Sequence, residues 1–178
     1  VRSLGTFNKD DRYNYLKEDH KPYHFKTNKL SKLLMYNNDI TISSFYIKSD
    51  KPSYFLRNGD HDNLMYIQKG NGLLKTNYGD LNYHEGDYIV IPRGVIFQNH
   101  ILSEHISGLI IESKAPIETP SKYRNRLGQL LEQSPFCERD IRVPQLSKPI
   151  DSPTDQLIIV RLQDGLQEMI YAHHPFDI

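Results

Sequence analysis

The sequence predicts an all-β protein built as an antiparallel barrel or sandwich. Short apolar runs follow one another in the middle of the chain, and turn sequences that contain glycine separate them. The runs are 64–67, 73–74 and 88–91, and the turns are 70–72, 78–80 and 85–87. Short runs rich in Tyr, Ile and Val, cut by Asn-Gly and Gly-Asp, are typical of strands joined by tight turns. The composition agrees, because 178 residues include 12 Tyr and 7 Phe but no Trp.

Strands on either side of these runs complete a barrel core that we place at residues 33–115. Residues 40–47 begin with an apolar and polar alternation that suits a half-buried strand. After Gly94, residues 95–101 and 106–112 are two further strand candidates. The second of these is β-branched and apolar enough to be a buried strand.

The segment before the barrel, residues 1–32, predicts a surface arm that folds along it. The arm is basic, Tyr-rich and weakly periodic. His20 and His24 lie four residues apart, which would place them on one helix face, but Pro22 between them disfavours a helix interior. A surface arm is therefore favoured over a metal-binding pair.

A long irregular segment follows the barrel, at residues 116–155. Leu127, Leu130 and Leu131 have helical spacing, but a glycine lies among them, so we expect no more than a turn or two of helix. Residues 138–142 carry 4 charges of alternating sign. This pattern predicts an ordered, extended segment with its own ion pairs.

The last part of the chain, residues 156–178, predicts a β-hairpin that completes the domain. Strand candidates at 156–162 and 166–173 flank the sequence Gln-Asp-Gly at 163–165. An Asp-Gly pair between two apolar runs is a strong hairpin signal.

The length, charge balance and apolar runs of the sequence exclude several classes of function. The chain is long enough for one domain with its own core. Lys and Arg number 22 and so do Asp and Glu, so no net positive charge favours nucleic acid or an acidic membrane as a partner. No apolar run approaches the roughly 20 residues that a membrane span needs, and we expect no signal peptide.

The chain contains a single cysteine, Cys137. No internal disulfide can form, and a reducing cytoplasm is the predicted location. We expect a packed or idle thiol rather than a nucleophile, because no His or Asn pattern accompanies it locally.

The end of the central stretch resembles the second signature of the cupin β-barrels. That signature is a glycine, five residues, a proline, one residue and a glycine, and Gly86, Pro92 and Gly94 match it. The resemblance implies a cupin-type barrel or jelly roll. Cupins usually hold a divalent metal with two histidines, a glutamate and a later histidine at one end of the barrel, a ligand set that suits Fe(II).

The usual ligand positions of a cupin carry other residues in this chain. Counted from the glycines of the motif, the first two histidine positions fall within 57–59, the glutamate position on Asn63 and the last histidine position on Phe97. The remaining histidines near the barrel lack partners at ligand spacing: His61, His84 and His100. We expect each to be exposed or hydrogen-bonded, and we predict that this barrel binds no metal.

Three longer segments resemble one family, the N-terminal half of homogentisate 1,2-dioxygenase. They agree with it in order and spacing, and the similarity extends from about residue 33 to residue 178. The segments are 55–94, 123–144 and 171–177.

The resemblance implies an activity for a longer protein. Enzymes of this family use non-haem Fe(II) and O₂ to open the ring of homogentisate, giving maleylacetoacetate in tyrosine and phenylalanine breakdown. Two histidines and a glutamate hold the iron and leave positions open for substrate and O₂. These ligands belong to the C-terminal half, so we expect no catalytic residue, no bound iron and no turnover in this chain. By the same resemblance, the full-length protein is a cytoplasmic, trimer-based homo-oligomer acting on an aromatic small molecule.

The first and last residues agree with this interpretation. The chain begins with Val1 rather than Met and stops at Ile178 without a polar tail, so we expect a fragment or a processed chain. A barrel separated from its partner half should expose an apolar face, and we therefore expect self-association.

Two other interpretations stay open at this point. The chain could be a stand-alone, metal-free cupin that binds a small ligand or serves as an oligomerisation module. A self-sufficient metalloenzyme using His173 and His174 is disfavoured, because adjacent residues of a strand point to opposite faces. We predict instead that Tyr171, His173 and His174 line the substrate pocket or contact the iron ligands in a full-length protein.

Overall fold

A computed structural model describes residues 2–6, 29–49, 55–162 and 165–177. Within these ranges the chain forms twelve β-strands, and its helices are two single turns of 3-10 helix at Ser121–Tyr123 and Glu138–Asp140. In the same ranges no helix has the length and apolar character needed to cross a membrane. The predicted all-β fold is confirmed.

The strands form two sheets. The seven-stranded sheet contains, from edge to edge, β1 (Arg2–Thr6), β12 (Gly165–Tyr171), β11 (Gln156–Leu162), β4 (Phe55–Asn58), β9 (Ile96–Ile101), β6 (Gly72–Thr76) and β7 (Gly79–Tyr83). The five-stranded sheet contains β2 (Lys29–Tyr36), β3 (Ile40–Lys48), β10 (His105–Ser113), β5 (Asp62–Lys69) and β8 (Tyr88–Ile91). Neighbouring strands are antiparallel except β4 and β11, which run parallel. Two such sheets around one core form the cupin-type barrel.

The main core lies between the two sheets. On β5, Met65 and Ile67 are buried while Leu64 and Tyr66 are only half-buried, as the two-residue period of a strand requires. Buried side chains from both sheets meet in one cluster, which includes Phe45, Leu56, Ile67, Leu74, Tyr83, Ile89, Phe97, Ile106 and Ile159. Burial of these inward positions therefore holds the sheets face to face.

A smaller second core covers the outer face of the seven-stranded sheet. Phe55 and Ile158 belong to it, whereas their chain neighbours Leu56 and Ile159 belong to the main core. Phe176, from the segment after β12, packs into this second cluster. The end of the described chain is thereby fixed against the sheet.

The outer face of the five-stranded sheet carries an apolar row that crosses all five strands. The strand registers place one residue of each strand side by side, in the order Met35, Ile42, Ile111, Leu64 and Val90. Met35 is 61% exposed and Val90 is 44% exposed. We call these five residues the outer apolar row.

Several strands extend beyond the sequence-based expectation. The strand β4 was not predicted, because a strand of four residues shows little alternation. Residues 81–83 of β7 were not predicted either, because β7 begins with the Gly-Asp of a predicted turn. The strands β1 and β2 include parts of the segment expected to be an arm. The candidates His20 and His24 and residues 163–164 of the hairpin lie outside the described residues.

The irregular segment at 116–155 is attached to the barrel by backbone and side-chain contacts. Asp80 and Gln145 exchange two backbone hydrogen bonds of 2.9 Å each. Arg142 forms an ion pair with Asp87 of the barrel. The sequence predicted ion pairs within the segment itself. Arg142 instead pairs with a carboxylate of the barrel. Cys137 is half-buried and precedes the second 3-10 turn.

Candidate functional site

Two positions at which the cupin motif places metal ligands, Asn58 and Asn63, meet inside the barrel. Asn58 ends β4 in one sheet and Asn63 lies on β5 in the other. The side-chain nitrogen of Asn58 donates to Oδ1 of Asn63 at 2.9 Å and to Oε1 of Glu112 at 3.0 Å. All three side chains are buried. The third motif position, Phe97, is part of the main core.

Glu112 is bound on its other side by an arginine from the opposite sheet. Nε of Arg161 lies 2.7 Å from Oε1 of Glu112, and Nη2 donates to Oε2 at 3.2 Å. The two side chains are only 14% and 8% exposed. A carboxylate buried to this degree requires such a partner, because its charge is otherwise poorly solvated.

These residues, together with His61, form what we call the inter-sheet cluster: Asn58, His61, Asn63, Glu112 and Arg161. Asn58 also shapes the turn that carries His61. Its Oδ1 accepts the backbone N–H of Asp60 at 3.2 Å and that of His61 at 3.0 Å, an arrangement by which asparagine commonly stabilises turns. One asparagine thus fixes both the β4–β5 turn and the contact between the sheets.

His61 is buried, with 8% of its surface exposed, and Nδ1 has no hydrogen-bond partner among the described residues. Burial lowers the pKa of His61, the positive charge of Arg161 lowers it further, and Glu112 and Asp60 oppose the change. The imidazole is therefore held in its neutral form. The expectation of an exposed or hydrogen-bonded side chain was wrong for His61, because its turn joins two strands whose facing residues are buried.

The other two barrel histidines agree with the expectation. His84 is exposed, and its Nδ1 lies 3.9 Å from Oδ2 of Asp87. Nε2 of His100 lies 2.7 Å from Oε1 of Gln98. Neither belongs to the inter-sheet cluster.

The donors of the inter-sheet cluster do not fit an iron site of the two-histidine, one-carboxylate type. The cluster offers one imidazole and one carboxylate, and both oxygens of that carboxylate already contact Arg161. A guanidinium in this position repels a second cation. Across the described ranges, no group of three or more His, Cys, Asp and Glu could hold a metal ion.

A second buried carboxylate, Asp62, ties the barrel to the start of the irregular segment. Its Oδ1 accepts the backbone N–H and Nε–H of Arg93, both at 3.0 Å, and its Oδ2 accepts the backbone N–H of Ile117 at 2.9 Å. Burial raises the pKa of Asp62, but these hydrogen bonds together outweigh it and lower the pKa below its usual value. Arg93 lies between the last proline and the last glycine of the cupin signature. The end of the signature is therefore held in place by the hydrogen bonds between Arg93 and Asp62.

The three predicted pocket residues lie on the outer side of the seven-stranded sheet. His174 packs edge-on against Phe55 and Phe176, with ring centroids 5.3 and 5.2 Å away, and its Nδ1 accepts the backbone N–H of Phe176 at 3.1 Å. Burial lowers the pKa of His174. The Tyr171 and His173 rings lie 5.4 Å apart. These residues are therefore not brought to the inter-sheet cluster, and their role in a pocket stays a prediction.

Glu112 and Arg161 were missed at the level of sequence. Each is a charged residue at an inward position of an otherwise apolar strand, within Ile-Ile-Glu and Val-Arg-Leu. Charged side chains are rarely buried without a partner, so two such residues in one barrel indicate a buried ion pair. That signal was available, although it does not say which residues pair.

The family comparison agrees with the motifs. The family model described as homogentisate 1,2-dioxygenase N-terminal matches residues 28–178. The chain belongs to this family. The resemblance inferred from the three segments is thereby confirmed.

A curated relative provides a measure of length. The protein named "Putative dioxygenase SSO1533" from Saccharolobus solfataricus is 29% identical over 187 residues. The match covers 100% of this chain and 48% of that protein. This homogentisate 1,2-dioxygenase N-terminal domain thus spans about half the length of the relative.

Solved structures with a similar fold include other cupins. The cupin domain of Schizosaccharomyces pombe Cnp3 has a TM-score of 0.46 at 8% identity, covering 50% of this chain and 66% of that one. A cupin 2 conserved barrel domain protein from Rhodopseudomonas palustris has a TM-score of 0.43 at 17% identity, covering 52% and 65%. Similarities at this level add nothing about function.

Proposed function

We propose that this chain is the iron-free N-terminal domain of a homogentisate 1,2-dioxygenase-type protein and serves as a structural half. The complete protein would be a cytoplasmic enzyme that uses Fe(II) and O₂ to convert homogentisate to maleylacetoacetate. Its iron ligands would lie in the other half. The family match and the half-length coverage of the Saccharolobus relative support this division of roles.

The observation that carries the proposal is the buried ion pair of Glu112 and Arg161, which lies beside Asn58, one of the usual ligand positions of the barrel. Arg161 and Asn58 occupy the oxygens of Glu112, so the one carboxylate of the inter-sheet cluster is already bound within the protein. Ring cleavage requires an iron ion that keeps coordination positions open for substrate and O₂. A carboxylate already held by a buried guanidinium is not free to be a ligand of such an ion. The cluster instead supports a role in holding the domain together.

A role in subunit contacts is supported by the outer apolar row. Its five side chains carry no charge, and the chain as a whole has no net charge, so two copies do not repel each other. We assign this face to contact with a second copy of the chain in a homo-oligomer. Sedimentation should show association in wild type that Val90→Lys weakens. A monodisperse monomer of the wild type at high concentration would contradict the assignment.

Iron loading tests the main proposal. The purified chain is incubated anaerobically with Fe(II), desalted and analysed for iron, and then supplied with homogentisate and O₂. We expect no stoichiometric iron and no ring cleavage. A longer gene product with an added half should bind one iron and cleave the ring. Iron and turnover in the short chain alone would overturn the proposal, whereas a gene that ends with this domain would favour a stand-alone metal-free cupin.

A further inference from the structure

The outer edge of the strand β7 is covered by a short piece of the irregular segment, residues 142–146, which we call the edge strap. Among the described strands, β7 lies at one end of the seven-stranded sheet. On its outer side, Asp80 exchanges two backbone hydrogen bonds of 2.9 Å with Gln145 of the strap. We propose that the β7 edge is a pairing site for β7 of a second copy of the chain, and that the edge strap keeps this site closed.

The edge strap occupies the backbone groups through which β7 would bind another strand. Asp80 directs its N–H and its carbonyl towards Gln145, and the carbonyl oxygen of Asn82 accepts Nη1 of Arg142 at 3.3 Å. The backbone groups of successive residues in a strand point to opposite sides, so those of Leu81 point towards β6. Both groups of Asp80 and the carbonyl of Asn82 are therefore bound by the strap. An uncovered edge would offer them to another chain.

The close approach of the edge strap depends on a glycine. Gly79, the first residue of β7, has a φ of 118°, and a Cβ on it would lie 2.1 Å from the carbonyl oxygen of Gln145. Arg142 fixes the other end of the strap through its ion pair with Asp87. Pro144 has no N–H to offer to a further strand. The strap therefore ends the sheet rather than extends it, as protected sheet edges in natural proteins do.

The sequence of β7 suits pairing with itself. When a second copy is placed antiparallel about a two-fold axis at Leu81, Asp80 faces Asn82 of the copy, and the same pair forms on the other side of the axis. The carboxylate of Asp80 then lies opposite an amide, so no like charges face each other. These are also the residues whose backbone groups point outwards, as a hydrogen-bonded pair requires. A second copy is therefore the partner that fits this edge.

Removing the contacts of the edge strap should open the site without unfolding the barrel. Arg142→Ala removes the guanidinium, and Gln145→Pro removes the N–H that the carbonyl of Asp80 accepts. Every residue of the strap is exposed or half-buried, so neither substitution takes a side chain out of the core. We expect the double variant, which we call the open variant, to keep its β-sheet circular dichroism and to dimerise. Arg142→Ala alone keeps the backbone bridge and should dimerise more weakly.

A single introduced cysteine reports the proposed register. All chains carry Cys137→Ser, which removes the natural thiol, and Val90→Lys, which weakens association through the outer apolar row. In the open variant, Leu81→Cys should form a disulfide-linked dimer under mild oxidation, since two residues on the axis have Cα atoms about 4.5 Å apart. Tyr78→Cys is the matched control. Tyr78 is 61% exposed, but its two copies would lie about 20 Å apart along the paired strands.

Sedimentation measures the same association without a cross-link. We expect the open variant to sediment as a dimer at concentrations at which the chain with an intact strap stays a monomer. A folded open variant that remains a monomer would overturn the proposal. Cross-linking of Tyr78→Cys as readily as Leu81→Cys would do the same, as would equal cross-linking of Leu81→Cys with the strap intact.

A milder variant covers the case in which the open variant does not fold. Leu81→Cys is then cross-linked with and without Arg142→Ala, and equal yields of dimer would overturn the proposal. None of these measurements uses iron or a second half of the protein. Their outcome is therefore independent of whether the longer protein is a dioxygenase.

Discussion

The hydroxyl of Tyr83 donates a 2.6 Å hydrogen bond to Oδ1 of Asn99, crossing the strand that lies between them. The intervening residue directly opposite Tyr83 is Gly72, and a Cβ there would lie 2.2 Å from the hydroxyl oxygen. Tyr83 is 1% exposed. Burial raises the pKa of Tyr83 to about 12, and the bond to Asn99 opposes this effect. The missing side chain of Gly72 is therefore what allows a tyrosine to join two strands that are not neighbours.

Removing the hydroxyl should weaken the domain measurably. We expect Tyr83→Phe to lower the free energy of unfolding by about 1 kcal/mol, because the oxygen of Asn99 loses its donor in a partly buried place. Urea unfolding monitored by circular dichroism measures the change. Tyr78→Phe is the matched control, since Tyr78 is 61% exposed and should tolerate the same change. Equal midpoints for the two variants would show that the bond contributes nothing.

A side chain at Gly72 should conflict with this contact. We expect Gly72→Ala to cost about 1–3 kcal/mol, as is typical when atoms are added to a packed core. The cost of the double variant Gly72→Ala/Tyr83→Phe should be smaller than the sum of the two single costs, because the hydroxyl that the new methyl meets is gone. Some cost should remain, since the carbonyl oxygen of His100 lies 2.6 Å from the added Cβ. Additive costs in urea unfolding would contradict this account.

One buried and one half-buried histidine, His61 and His174, should make the domain less stable in mild acid. Burial lowers the pKa of both His61 and His174 in the folded state. Their stabilising effect is complete above the unfolded value of about 6.5 and is lost as pH falls through the lower folded values. Urea unfolding at several pH values between about 7.5 and 5 should therefore show falling stability.

Variants identify the groups responsible. His174→Asn should reduce this pH dependence, because Nδ1 of His174 must stay unprotonated to accept the N–H of Phe176. His61→Asn should reduce it separately, and the double variant should reduce it most. A wild-type slope that persists in the double variant would assign the acid sensitivity to other groups.

Asp62 should act in the same direction as the histidines, but in a more acidic pH range. Its folded-state pKa is lowered, so its contribution is present above the unfolded value of about 3.9 and is lost as pH falls through the folded value. At pH 7, Asp62→Asn should cost about 1.5–3 kcal/mol, the usual range for a hydrogen-bonded buried charge. The difference between wild type and variant should shrink below about pH 4. A difference that stays constant down to pH 3 would exclude the ionised carboxylate as its source.

Much of the fold could be predicted because strands leave a local pattern. Alternation on β3 and β5 and the turn glycines follow from the two-residue period of a strand and from the backbone freedom of glycine. The short strand β4 and the start of β7 lack that pattern. Pairing with neighbouring strands defines them, and pairing is not visible in a short stretch of residues.

The sequence by itself determined an all-β cupin-type domain, its family and the replacement of the usual metal ligands, since each depends on residue types at fixed local spacings. Only the tertiary structure decided that Asn58, Glu112 and Arg161 meet. Glu112 and Arg161 lie 49 residues apart, on strands of opposite sheets. Their contact depends on strand order, on register and on which face of each strand turns inward. A shift of one residue in either strand would move its charge to the other face of its sheet.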